Sequence, residues 1–162
     1  MTLPDLLERE LAGHSELDDV LTSTLAILDR LGQPRIGLVS GPITADGPAN
    51  VSRNIHTLLR HARYLEEANG IPIVAAPYVF TESVYERIRV HEIAEPRFHD
   101  FWRAVLRSGR VTDVYMVDGW DRSNGAMDEF RVASELGLAI HYSCRDGSAC
   151  PVCRDTGVGL SA

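Results

Sequence analysis

The chain contains no lysine, and all sixteen of its basic residues are arginines. This absence excludes mechanisms that need a lysine amine, such as a Schiff-base intermediate or the lysine of a P-loop. The basic residues are outnumbered by 23 acidic ones, which gives a formal net charge of −7 at pH 7. A protein of this charge is poorly suited to a broad electrostatic grip on a nucleic-acid polymer, so we expect no such partner.

Long apolar runs and cysteines are also scarce. No run approaches the roughly 20 apolar residues that a membrane-spanning helix needs, and the acidic, amphipathic first ten residues differ from a secretory signal. We therefore expect no membrane partner and a cytoplasmic location. The three cysteines all lie within the last nineteen residues, a number and placement that do not describe a disulfide framework.

The pattern of apolar residues predicts one α/β domain. The 162 residues, 44% of them hydrophobic, provide enough apolar side chains for one core. Short apolar runs at 35–40, 71–76, 111–117 and 138–142 predict strands. Helical periodicity covers most of 1–30, 51–70, 81–107 with a break near Pro96, and 124–136. This alternation predicts a doubly wound, flavodoxin- or Rossmann-like fold with a mainly parallel sheet of four to five strands and helices on both faces.

Three segments follow from this pattern. Residues 1–32 are predicted to form an N-terminal helical extension, 33–143 the α/β domain, and 144–162 a cysteine-containing tail. The apolar stripes of the extension need a surface to pack against. That surface is either the chain's own sheet or a dimer interface.

The first candidate for a binding loop follows the first predicted strand. In doubly wound sheets, ligands bind at the carboxyl ends of the strands where the strand order reverses. Here the strand ends in Ser40-Gly41-Pro42, and backbone N–H groups in such a loop can hold a phosphate or a sugar hydroxyl. A turn that merely reverses the chain explains the same residues, and the spacing matches neither a dinucleotide fingerprint nor a Walker loop.

The densest polar segment, residues 118–129, follows the third predicted strand. Ser123 or Asn124 can cap the helix that begins here, and Gly125 would let a ligand approach the backbone. The positive helix end favours an ionised Glu129, which makes this residue a candidate nucleophile or base. Acids in a helix's first turns are also ordinary stabilising features. The position of Glu129 beside the apolar stripe predicts that it leans toward the sheet.

These two segments carry a resemblance to a known group of enzymes. Ser40-Gly41-Pro42 after one strand, and the Gly-x-x-x-Glu motif of Gly125 to Glu129 after a later strand, resemble the nucleoside 2-deoxyribosyltransferase-like superfamily. The likeness spans about residues 35–142 and is greatest to a small uncharacterised bacterial and phage branch. It implies a retaining mechanism in which Glu129 attacks the anomeric carbon and forms a glycosyl-enzyme ester, which water or a second base then resolves.

The residue six positions before Glu129 bears on the reaction. Base-exchanging transferases of the superfamily carry an aspartate there, whereas nucleoside 5′-monophosphate N-glycosidases carry a serine that helps to hold phosphate. Because this position is Ser123, the resemblance implies N-glycosidic cleavage of a nucleotide, with Ser123, Gly41 and Arg122 near the phosphate. Base exchange, a 2-deoxyribosyltransferase activity, and a non-catalytic nucleotide-binding or sensing module remain alternatives.

The resemblance also bears on cofactors and assembly. It implies no required cofactor, a small nucleotide or nucleoside as the partner, and a homo-oligomer, dimeric or higher, in which a neighbouring subunit completes each pocket. These are expectations by analogy.

An acid for the leaving base and a stacking platform must also be found. Asp118, Asp121 and Asp100 are candidate acids, and Asp100 lies in the helix where the family places a substrate-contacting aspartate, although further from the strand. Trp120 and Tyr78 could stack on a base or simply pack. These roles are interpretations of position only.

The remaining histidines and cysteines suggest two weaker sites. His99 beside Asp100 could form a functional pair, although a partly exposed helical histidine is the simpler interpretation. Cys144, Cys150 and Cys153, with His141, could complete a tetrahedral structural zinc site. The spacing of the cysteines is unusual for such a site, so an inert tail and a redox role stay open beside it.

Overall fold

Four parallel strands form the centre of the protein in the computed structural model, which describes residues 1–143. The strands are β1 (Gly37–Ser40), β2 (Ile73–Ala75), β3 (Asp113–Val117) and β4 (Ala139–Ser143), in the order β2-β1-β3-β4. In register, Leu38 of β1 pairs with Val74 of β2 and Val114 of β3. The predicted doubly wound α/β fold is confirmed, with four strands in the described residues.

Seven α-helices connect and cover the strands in these residues. They are α1 (Leu3–Leu11), α2 (Leu17–Leu31), α3 (Val51–Asn69), α4 (Ala76–Val79), α5 (Glu82–Ile88), α6 (Glu95–Arg107) and α7 (Asn124–Leu136). Single turns of 3₁₀ helix occur at Pro48–Asn50, Val90–Glu92 and Trp120–Arg122. No helix among the described residues is long and apolar enough to cross a membrane.

The sheet separates two hydrophobic layers. On one face, Leu58, Ala62 and Leu65 of α3 pack against Val39 and Tyr115 of the sheet. The other face carries the larger core, which includes Leu38, Val74, Val114 and Met116 from the strands together with apolar residues of α1, α2, α6 and α7. Because side chains alternate along a strand, neighbouring residues of β1 and β3 contribute to opposite layers.

The N-terminal helices belong to the larger core. The predicted helical stretch is divided at residues 12–16, and Leu3, Leu7 and Leu11 of α1 are all buried. A capping box between Thr2 and Asp5 starts α1. Since the apolar stripes of both helices pack on the protein's own interior, this packing satisfies the need for a partner surface that the sequence indicated.

Prolines begin helices here instead of breaking them. Pro77 lies in the first turn of α4 and Pro96 in the first turn of α6, where a missing N–H costs no hydrogen bond. The predicted interruption near Pro96 therefore lies just before it, between α5 and α6. Arg89 ends α5 in the left-handed conformation with φ of 55°.

The buried carboxylate of Asp113 links neighbouring segments through hydrogen bonds at the end of the sheet opposite Ser40. Asp113 accepts hydrogen bonds from Nε and a terminal nitrogen of Arg35, at 3.2 and 2.8 Å, and from the Thr112 hydroxyl at 2.6 Å. Nε2 of His141 on β4 lies 2.8 Å from the same carboxylate. Burial alone would raise the pKa of Asp113, but these hydrogen bonds outweigh it and lower the pKa to about 2.

We predict that Asp113→Asn lowers the free energy of unfolding by about 1–3 kcal/mol at pH 7, because the buried partners lose a charged acceptor. The folded pKa lies below the ordinary value of 3.8, so the carboxylate's contribution is complete above that value and is lost as the pH falls toward 2. Urea denaturation measures the free energy of unfolding of both proteins. The deficit of Asp113→Asn relative to the wild type should be larger at pH 7 than at low pH. Asp100→Asn, which alters an exposed ion pair with Arg103, is the control; an equal loss in both variants would contradict the account.

Candidate active site

The site lies where the strand order reverses. From β1 the chain crosses to β2 on one side, whereas β3 lies on the other side of β1 and leads on to β4. The carboxyl ends of β1 and β3 therefore border a crevice that no direct connection fills. Ser40 ends β1, and the segment after β3 leads into α7.

The start of α7 is fixed by a side-chain cap. Ser123 is the N-cap residue, and its Oγ accepts a hydrogen bond from the N–H of Ala126 at 3.2 Å. Ser123 is also nearly buried. This cap holds the first turn of α7 in place beside the crevice.

Glu129 leans toward the sheet from α7. The hydroxyl of Ser40 donates a hydrogen bond to Oε2 of Glu129 at 3.1 Å. Ser40 itself is only 2% exposed, so the contact joins the end of β1 to the helix inside the protein. The predicted orientation of Glu129 is confirmed.

The predicted ionised state of Glu129 is wrong. Burial raises the pKa of Glu129 to about 8; the hydrogen bond from Ser40 lowers it and the nearby charge of Asp128 raises it. Protein atoms surround the carboxyl although the residue keeps partial contact with solvent. Desolvation therefore outweighs the helix dipole, and the side chain is mostly protonated at pH 7 in the ligand-free protein.

A pocket of about 560 Å³ opens over this carboxyl. Its polar end combines the loop after β1 with the start of α7 and is lined by Ser40, Gly41, Thr44, Arg122, Ser123, Asn124, Gly125 and Glu129. Its apolar end is formed by the segments from α4 to α6 and is lined by Ala76, Phe80, Tyr85, Val90, Ile93, Phe98 and Trp102. The pocket thus offers polar contacts at one end and aromatic surface at the other.

About half of the substrate-binding and catalytic residues predicted from the sequence line this pocket. Those that do are Ser40, Gly41, Arg122, Ser123, Asn124, Gly125 and Glu129. Those that the structure places outside its lining are Pro42, Tyr78, Asp100, Asp118, Trp120 and Asp121. Most of the second group was chosen because it lies near the end of a strand, and Asp100 was chosen because of the superfamily resemblance.

The local contacts explain several of the outliers. Trp120 stacks on Phe130 with ring centroids 4.7 Å apart, so it packs against α7. Asp100 is exposed and pairs with Arg103 at 3.1 Å. Tyr78 packs against both hydrophobic layers.

Two glycines at the pocket have different physical roles. A Cβ on Gly41 would lie 2.9 Å from Cβ of Val117 and 3.0 Å from a methyl of Leu58, so close packing alone requires glycine there. A Cβ on Gly125 would meet nothing nearer than 3.8 Å. An added methyl group would fit there in ordinary van der Waals contact with His99 and Ser123, so packing alone does not require glycine at this position of the pocket lining.

An ion pair joins two loops beside the pocket. A terminal nitrogen of Arg122 donates to Oδ1 of Asp46 at 3.3 Å, and Asn54 on α3 donates to Oδ2 at 3.0 Å. The loop after β1 is thereby linked to the segment that precedes α7. Asp46 was not among the predicted site residues, because its contact with Arg122 bridges 76 positions of sequence.

Sequence reasoning missed most of the opposite wall of the pocket. Phe98, His99 and Trp102 on α6 and Phe80 after α4 all line it. Of these, only His99 was considered a functional residue, in a pair with Asp100, and the periodic spacing of the others indicates only an amphipathic helix. The fold brings α6 beside the start of α7, and that proximity makes these residues part of the site.

Only one of the proposed zinc ligands can be placed. His141 lies with Nε2 against Asp113 and its ring stacked on Tyr115 at 4.5 Å. Cys144, Cys150 and Cys153 lie outside the described residues. Within 1–143, no group of three or more histidine, cysteine, aspartate or glutamate side chains is arranged to hold a metal ion.

We predict that Glu129→Gln stabilises the protein most at alkaline pH. The folded pKa of about 8 lies above the ordinary value of 4.5. Between these values the folded state binds the proton and the unfolded state does not, so wild-type stability falls as the pH rises from about 5 to 8. Glu129→Gln has no titrating group at this position, so its free energy of unfolding should not fall in this way. It should exceed that of the wild type by on the order of 1–3 kcal/mol at pH 8.

Denaturant unfolding at pH 5, 6.5 and 8 measures this difference. Glu135→Gln, which alters an exposed glutamate on the same helix that pairs with Arg131, is the matched control. A constant difference between Glu129→Gln and wild type across this range would contradict the raised pKa.

Comparison with known proteins gives one match. Neither a curated protein nor a solved structure matches the chain significantly. A family model described as a domain of unknown function, DUF4406, matches residues 39–142, a span that runs from the end of β1 to β4 and includes the whole candidate site. The chain belongs to the DUF4406 family.

Proposed function

We propose that the protein cleaves the N-glycosidic bond of a nucleoside 5′-monophosphate, with Glu129 as the nucleophile. The observation that carries the proposal is the contact between Ser40 and Glu129 beneath the pocket. It fixes one carboxyl oxygen, Oε2, and leaves Oε1 for the substrate. The arrangement supports covalent glycoside chemistry because a carboxylate must lie close beneath the anomeric carbon.

The polar end of the pocket suits a phosphate. The first N–H groups of α7 have no acceptor within the helix and carry its positive end. Ser123 accepts the capping bond and keeps its hydroxyl proton for donation to a ligand. Arg122 lies beside it and can exchange Asp46 for a phosphate oxygen. The local positive groups compensate for the chain's net negative charge.

The apolar end of the pocket suits a base. Phe98 and Phe80 lie edge to face with ring centroids 5.5 Å apart, and Trp102 is 6.0 Å from Phe80. These rings offer a stacking surface for a base, a role for which the sequence suggested Trp120 or Tyr78. A nucleotide that spans the pocket would place its sugar between the helix start and the aromatic wall, above Glu129.

The reaction forms one bond as it breaks another. Oε1 of ionised Glu129 attacks C1′, the C1′–N bond breaks with its electron pair on the base, and water later hydrolyses the glycosyl ester. With a pKa of about 8, roughly one molecule in ten is ionised at pH 7. Positive charge developing at C1′ favours the ionised form, and the rate should rise with pH toward 8.

The raised pKa of Glu129 also favours a second candidate function. A protonated carboxyl donates a hydrogen bond and does not attack carbon. A non-catalytic nucleotide-binding or sensing module would use Glu129 in that form. Base exchange, a cofactor-free reaction and assembly into a homo-oligomer stay predictions from the sequence, as does the cytoplasmic location.

The decisive assay incubates the purified protein with ribo- and deoxynucleosides and their 5′-monophosphates and separates the products by chromatography. We expect free base from the monophosphates only. Glu129→Ala should reduce the rate at least about 10³-fold, since the nucleophile is lost. Glu135→Ala, on the same helix but outside the pocket, should retain the wild-type rate.

Other results would change the assignment. Release from nucleosides that increases with an added base would indicate base exchange. No release, together with a nucleotide-dependent increase in melting temperature, would contradict the hydrolase and favour the binding module.

A further inference from the structure

One side chain opposite Glu129 has no role in the proposal above. His99 on α6 lines the pocket, and its Nε2 lies 3.8 Å from where a Cβ on Gly125 would be. We propose that His99 is the acid that protonates the leaving base. The inference rests on the proposed function and adds a second catalytic residue to it.

His99 and Glu129 line the same pocket. Gly125, which lies beside the His99 ring, is four residues before Glu129 on α7, so the two positions share one face of the helix. His99 therefore faces α7 about one turn nearer its start than Glu129. Retaining glycoside cleavage requires an acid and a nucleophile that both border the bound substrate.

The proton on His99 is not already committed to a neighbour. Its Nε2 lies 3.6 Å from Oε1 of Glu95, which is longer than a hydrogen bond. Glu95 supplies negative charge near the ring, and the ring itself borders the pocket. The imidazole can therefore transfer its proton to a base bound against the aromatic wall.

The acids that the sequence suggested are less well placed. Asp118, Asp121 and Asp100 lie outside the lining of this pocket. Tyr85 lines it, but burial raises the pKa of its hydroxyl above the ordinary value, which makes it a weak proton donor at neutral pH. His99 lines the pocket and carries an imidazole, a group that commonly serves as a general acid.

As Oε1 of Glu129 bonds to C1′, the C1′–N9 electron pair of a purine passes to the base, and the proton on Nε2 of protonated His99 moves to N7. Neutral His99 then removes a proton from the water that attacks C1′ of the ester. Glu129 leaves as a carboxylate, and His99 is again protonated.

The test compares two substrates that differ in their need for an acid. Guanosine 5′-monophosphate requires protonation of its base, whereas N7-methylguanosine 5′-monophosphate already carries a positive charge on the base. The rate of base release is measured in a single turnover, before hydrolysis of the ester that both substrates share. We expect His99→Gln to lower this rate at least about 10²-fold for the first substrate. It should lower the rate less than about 5-fold for the second, because the leaving group needs no proton.

Controls separate this role from a structural one. His91→Gln alters an exposed histidine outside the pocket and should match the wild type on both substrates. Glu129→Ala should lose both activities. Melting temperatures within about 2 °C of the wild type show that His99→Gln is folded.

Each remaining outcome is informative. Equal losses on both substrates, or no loss on either, would overturn the role of His99 and leave the proposed function intact. If the wild type released base from pyrimidine nucleotides but from neither guanine substrate, the role of His99 in protonating a purine would be overturned and the proposed function would stand. Failure of the wild type to release any base from any monophosphate would overturn the proposed function as well.

Discussion

The hydrogen bond from Ser40 to Glu129 is the contact on which the site depends. It joins the last residue of β1 to the second turn of α7 across the point where the strand order reverses. The contact orients a carboxyl that burial keeps mostly protonated at pH 7. The remaining elements of the pocket are arranged around it: the capped start of α7 on one side, and α6 with its aromatic rings on the other.

Burying the carboxyl of Glu129 with a single hydrogen bond disfavours its charged form, as the pKa shows. Burial raises its pKa to about 8, whereas the hydrogen-bonded Asp113 at the other end of the sheet has its pKa lowered to about 2. Asp113 has an arginine, a threonine and a histidine as partners. Glu129 receives one hydrogen bond from a neutral hydroxyl. An under-compensated carboxyl in a pocket is typical of a functional position, because folding alone would favour better pairing.

The sequence predicts the sheet and the two strand-end motifs because both depend on local patterns. Apolar runs mark the strands, and the preference for serine or asparagine at a helix start limits the cap to Ser123 or Asn124. The orientation of Glu129 follows from its place beside the apolar stripe. Its protonation does not follow, because desolvation depends on how closely α7 lies against β1, which only the fold determines. Phe98 enters the site for the same reason: α6 lies beside the start of α7, and the apolar periodicity of α6 indicates only an amphipathic helix. The sequence suggested a functional pair of His99 and Asp100, but only His99 lines the pocket.

The central claim is that Glu129 forms a covalent bond to the sugar, and mass spectrometry tests it directly. The protein is mixed with a nucleoside 5′-monophosphate that releases its base, quenched in acid during turnover, and digested. The account predicts a peptide containing Glu129 that is heavier by one sugar phosphate, and the adduct should be absent from Glu129→Gln. Base release with no adduct on any peptide, or with the adduct on another residue, would contradict the assignment of Glu129 as the nucleophile.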